Sequence, residues 1–205
     1  VIDTPILRRG MLVAIDKHIS SGSGALLLVD PHQRMNEANA SLAVQASEEG
    51  EINTLGDLLS SYGLEMANDK IVGDDLNPSL VRSSSGKAYP FPYWMELGKN
   101  NISRNHPVSS LLNKLLFADA GHFEITDENQ IVHSIVYTSA ETAELSKYEI
   151  KKQSAEQLAA NFAPGSHPPR NLVVYIDGPI EQAFADGDVE VESRNASLFA
   201  VSDAD

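Results

Sequence analysis

The chain has no cysteine, a single tryptophan, and 15 lysines and arginines against 29 aspartates and glutamates. Without cysteine there are no disulfides, no thiol nucleophile and no thiolate metal site. The shortage of basic residues leaves a formal net charge of -14 and an isoelectric point near 4.7. That field disfavours binding to nucleic acid or to anionic lipid. The two adjacent basic pairs, Arg8-Arg9 and Lys151-Lys152, read as solvated surface. No run of roughly 18 apolar residues exists that would span a membrane as a helix. The phosphate loop, the Gly-x-Ser-x-Gly elbow and the His-Glu-x-x-His helix are all missing. Ser21-Gly22-Ser23-Gly24 precedes an apolar run instead of following one, which is the wrong order for a dinucleotide loop, so no cofactor is expected. His18, His32, His106, His122, His133 and His167 are scattered, so there is no local metal pair.

What is present is ordinary globular material: 205 residues, 42% hydrophobic, with mean hydropathy -0.20. Apolar residues recur at helical spacing over residues 10–21, and the run Ala25 to Val29 follows, bounded by Gly24 and by Asp30-Pro31. So short a run between breakers predicts a strand buried on both faces, and helix-then-strand is half of a parallel βαβ unit. A second such unit is predicted with a helix over 54–62, capped by Thr54 and Asp57 and stopped by Gly63, and a strand over 70–73. Leu172 to Ile176 and Ala196 to Val201 are further buried strands, and Ser154 with Gln157 signals another capped helix. Residues 32–52 read as a polar surface excursion. Residues 75–150 have few helix signals and several β runs, which predicts a β-rich sublobe inserted into an α/β core.

Asp30, Asp177 and Asp203 each follow an apolar run at its carboxyl end. In an open parallel sheet, that is where ligands sit, so if these strands are parallel neighbours the three carboxylates converge there beside His32 and bind a cation or a small polar ligand. The alternative is that Asp ends these strands by capping turns. Tyr89 to Trp94 is an aromatic-proline stretch with two readings. Tyr93 and Trp94 stack on a sugar-like ring, or the rings pack onto the core. A metal-assisted hydrolase using Asp30, His32 and Asp203 is a third reading.

Several segments in order resemble one family: Leu27-Leu28-Val29-Asp30-Pro31, Leu58 to Glu65, Ile71-Val72-Gly73-Asp74, Tyr93 to Leu97, Asn105 to Val108, Ala118 to Gly121, Gly178 to Gly187 and Ala200 to Asp205. Together they resemble the auxiliary extracytoplasmic domain of ABC transport systems of the gliding-motility (GldG-like) type. The resemblance spans nearly the whole chain. It implies one domain over residues 1–205, excised from a longer membrane-anchored protein, with a Rossmann-like (amidotransferase-like) parallel-sheet core. It also implies the periplasmic side of a bacterial inner membrane, an ABC ATPase and permease as partners, and no catalytic residues. Amidotransferase chemistry needs a cysteine nucleophile, so only the fold would be shared. Expected, then, is a non-enzymatic transport component that binds a partner or a small polar ligand; the alternative is a sugar-binding module.

Overall fold

The computed structural model of the chain describes residues 7–31, 54–67, 69–83, 85–184 and 194–204. The excursion expected over 32–52, His32 included, lies outside the described residues.

In chain order the elements are α1 (Arg9–Ser20), β1 (Gly24–Leu28), α2 (Leu55–Ser61), β2 (Leu64–Glu65), β3 (Lys70–Asp74), β4 (Pro78–Arg82) and β5 (Ala88–Gly98). They continue with β6 (Lys114–Ala118), β7 (Glu124–Ile125), β8 (Val132–Tyr137), β9 (Glu141–Ser146), α3 (Lys147–Ile150), α4 (Ala155–Ala160), β10 (Gly165–Ser166), β11 (Asn171–Ile180) and β12 (Arg194–Val201).

Helices form where the sequence carries their signals. Leu12, Asp16 and Ile19 fall on one side of α1 and are all buried. At α2 the Thr54 hydroxyl accepts from Asp57 N at 3.2 Å, while Asp57 Oδ2 accepts from Thr54 N at 2.7 Å, a reciprocal cap. Gly63 then takes a φ of +78°, a left-handed conformation that ends the turn. Ser154 and Gln157 cap α4 in the same way. After His106, residues 107–111 form a series of turns.

The expectation of a Rossmann-like α/β core with a parallel sheet is overturned. The largest sheet has the order β1-β12-β11-β8, and only its β1–β12 pair is parallel. β11 pairs antiparallel with both β12 and β8. The remaining described sheets, β10-β9-β3, β4-β5-β6 and β2-β7, are antiparallel throughout. The physical reason is that a continuous apolar run reports burial on two faces and carries no information about strand direction. Here the two faces are covered by different layers. α1 and α2 pack on one side, where Leu12, Ile19, Leu55, Leu58, Val174, Ile176, Leu198 and Ala200 share a core. On the other side lie strands, with Val72, Met95, Leu97 and Phe117 against Leu172 and Val173. The strand over 25–29 is also less enclosed than expected: Leu27 is buried, but Leu26 is 51% exposed. A third cluster joins Ile71, Phe91, Tyr93, Leu145 and Leu158, tying α4 to β3, β5 and β9.

Candidate functional site

The antiparallel run of β11 decides where the three aspartates go. Val29 N donates to Val201 O at 2.8 Å, so Asp30 and Asp203 leave the sheet at the same end. Asp203 Oδ2 accepts from Ala118 N at 2.7 Å, and Asp30 is buried. Gly121 closes over this end: its N–H donates to Ser202 O at 3.0 Å, and a Cβ there would stand 2.8 Å from Met66 Sδ and 3.0 Å from Pro31 Cγ. Asp177 is not with them. β11 continues to Ile180, and Asp177 sits exposed opposite Ser197, while Val173 is the residue opposite Val201. The four-residue offset puts it about 13 Å along the strand, toward the other end of the sheet. The structure thus brings Asp30 and Asp203 to one end of the sheet and leaves Asp177 within β11, away from them.

The aromatic-proline stretch is β5. Ser79 of β4 faces Phe91 and Pro78 faces Met95, so β5 carries extra residues at Pro92 to Trp94, a bulge. A proline is tolerated there because the ladder is already interrupted. The core-packing reading describes Tyr93, which is 4% exposed. Tyr93 packs inward, edge-on to Phe162 at 5.3 Å and to Phe91 at 5.8 Å. Burial, followed by the nearby Glu149 charge, pushes its hydroxyl up to about 12. Trp94 packs edge-on to Phe91 at 5.9 Å and, with Tyr89 and Phe91, lines a cleft of about 650 Å³. The β4 side supplies Leu80, Val81 and Arg82; the α3–α4 side supplies Ile150, Lys151, Gln153 and Leu158. Its volume lies within the usual range for small-ligand pockets.

A second cavity, of about 330 Å³, lies between α2 and the β3–β9 pair. His122, only 5% exposed, has Nε2 3.2 Å from Arg170 Nη1. A guanidinium can only donate, so Nε2 accepts and the imidazole proton is on Nδ1. Burial, and then Arg170, hold His122 below its ordinary value of 6.5. Glu144 accepts from Lys70 Nζ at 2.9 Å and lies 3.3 Å from Arg170 Nη2. Its own burial pushes its carboxyl up, but the Lys70 hydrogen bond and the neighbouring His122, Lys70 and Arg170 outweigh that and draw it below its usual range. Glu124 stands 3.6 Å from His122 Nε2, a contact that becomes an ion pair only if the ring is protonated. Among the described residues, no three His, Asp or Glu side chains are grouped to hold a metal ion.

Both cavities draw on residues that sequence reasoning passed over. His122, Glu144 and Arg170 come from separate strands and loops, and no local pattern links them. Lys151 was visible as half of a basic pair, but its place beside Arg82 and Trp94 depends on the turn between α3 and α4. For Arg82 the available signal was its position two residues after Leu80 on a strand beside the aromatic stretch.

No curated protein and no solved structure matches the chain. A family model does, over residues 2–205, and its description is ABC-type uncharacterized transport system. With nearly every residue inside that match, the chain belongs to this family of auxiliary domains of ABC-type transport systems.

Proposed function

We propose that this domain works by binding and not by turnover, as the extracytoplasmic part of an auxiliary component that stands beside an ABC ATPase and permease on the periplasmic side of a bacterial inner membrane. The aromatic cleft is the binding site, and a small ligand is its occupant. The observation that carries this reading is the cleft itself: a concave surface with Trp94, Tyr89 and Phe91 on one wall and α4 on the other. Ligand sites of this kind combine an apolar lining with a few polar groups.

Two measurements test the proposal. The membrane-anchored parent, with and without residues 7–204, is purified from membranes under conditions that keep complexes intact. An ATPase and a permease that accompany only the intact form support a role in assembly or docking; recovery with both forms places assembly elsewhere. In parallel, the chain and its Trp94→Ala variant are screened by thermal shift against a broad set of small molecules. Stabilisation lost in Trp94→Ala supports the cleft as the site. Stabilisation that survives in the variant removes the cleft from the proposal. A sugar-like occupant is the second reading, favoured by the half-buried Trp94 face, and the same screen includes it.

A further inference from the structure

We propose that the cleft between the β4–β5 hairpin and α4 is a site for a small aromatic carboxylate. The inference rests on the reading of the cleft as the binding site and names its ligand class.

Charge comes first. The chain carries nearly twice as many acidic as basic residues, yet among the described residues the cleft is lined by Arg82 and Lys151 and by no carboxylate. In so acidic a molecule a concave surface of the opposite sign favours an anion. The adjoining cavity of about 500 Å³, which shares Tyr89, does hold Glu156, but Lys87 lines it as well. Arg82 is anchored at its place, since Nη1 donates to Gly86 O at 3.2 Å across the hairpin turn. A guanidinium has five N–H donors in a planar fork, so one such anchor still permits a two-point contact with a carboxylate.

The lining then separates an aromatic ring from a sugar. Each sugar hydroxyl taken out of water needs a hydrogen-bond partner. Apart from its two cations, the cleft offers side-chain hydrogen bonding from Gln153 and Tyr89, while Leu80, Val81, Ile150 and Leu158 add apolar surface. Such a wall leaves most sugar hydroxyls unmatched and suits a flat apolar ring. Phe91 and Trp94 already meet edge to face at 5.9 Å, and a third ring extends that arrangement with the usual geometry of aromatic pairs.

The test uses the full chain, in which Trp94 is the sole tryptophan and therefore a fluorophore at the cleft itself. Its emission is followed during titration with phenylacetate, phenylacetamide, phenethylamine and glucuronate, and binding is confirmed by calorimetry. Phenylacetate is expected to saturate the signal at the lowest concentration, with the neutral amide weaker and the amine weakest. Arg82→Gln and Lys151→Gln, each checked for an unchanged melting temperature, are expected to weaken phenylacetate binding by up to about fivefold. Glucuronate binding more tightly than phenylacetate, or the amine binding as tightly as the acid, overturns the ligand class while leaving the cleft as the binding site. Silence with all four probes also overturns the class, and the Trp94→Ala comparison in the wider screen then decides the fate of the cleft reading separately.

Discussion

Asp74 accepts hydrogen bonds from Ser139 N and Oγ, both at 2.6 Å, from Leu76 N at 3.0 Å and from Asn77 Nδ2 at 2.9 Å. Asp16 is equally enclosed, with Tyr62 Oη and Phe184 N each 2.6 Å from its carboxylate. Charge buried in this way is tolerated because every donor is aimed at it. His122 is the contrasting case, since its native arrangement with Arg170 requires the neutral ring. Its folded value is depressed, so the unfolded chain binds the proton more readily. The stability this provides is in place above 6.5 and is lost as pH falls below that value. Glu144, also depressed, adds a contribution present above 4.5 and lost as pH falls through its folded value. Both losses run the same way. The melting temperature is therefore expected to drop as pH is taken from about 7 to about 5, the range in which histidine titrates. In His122→Gln, whose amide oxygen still accepts from Arg170, the upper part of that decline is expected to vanish. A variant whose melting curve tracks the parent's across this range rules out His122 as the source.

At the scale of single elements, the structure rewards local signals and punishes directional ones. Thr54 with Asp57 and Ser154 with Gln157 were readable as caps because capping is settled within one helical turn. Leu172 to Ile176 was readable as doubly buried because its composition has no polar break. The direction of β11 was not readable, because it depends on which strands lie beside it, and that choice is made by residues 132–137 and 194–201. The misplacement of Asp177 follows directly: the end of a strand is an address only when the strand's direction is known. β3 carries the element-scale prediction. A Cβ on Gly73 would stand 2.7 Å from Phe162 Cε2 and 2.9 Å from Tyr93 Cδ1. The glycine lets those two rings meet and holds the C-terminal end of α4 against β5, behind the cleft. Gly73→Ala is expected to destabilise by about 1–3 kcal/mol in denaturant unfolding. In a Phe162→Ala background the added cost is expected to be clearly smaller, because the residues share one space. Equal costs in the two backgrounds mean that the ring contact is not what requires glycine.

For the whole molecule, the β-rich composition of residues 75–150 was legible and its extent was not. Among the described strands every pairing except β1–β12 is antiparallel, and α1 and α2 are the helices that cover the largest sheet. The candidate cleft was half legible for the same reason. Its aromatic wall is one continuous stretch, whereas Arg82 and Lys151 meet it only through the tertiary fold. Global architecture also assigns unequal weight to the segments. β12 lies between β1 and β11 and pairs with both, Leu27 facing Ala200 and Val174 facing the same residue. Removing residues 194–205 therefore takes the middle out of the largest sheet and uncovers Leu27, Val174 and Ile176. A chain ending at residue 193 is expected to lose cooperative thermal unfolding altogether, whereas a cut in a peripheral hairpin such as that between β4 and β5 is expected to lower the midpoint without abolishing it. Calorimetry distinguishes the two outcomes.

The same parallel pairing has a consequence in time. A ribosome releases residues 24–28 well before residues 194–201, so β1 waits for its neighbour while the whole segment between them is made. α1 waits with it, its Leu12 and Ile19 stripe facing no finished sheet. β4, β5 and β6 pair with near neighbours in sequence, β3 pairs with β9, and all of these are free to close in the interval. Long-range pairing is slow, and an uncovered apolar stripe invites aggregation. The segment carrying α1 and β1 is thus the one with most need of shelter until β12 has been made.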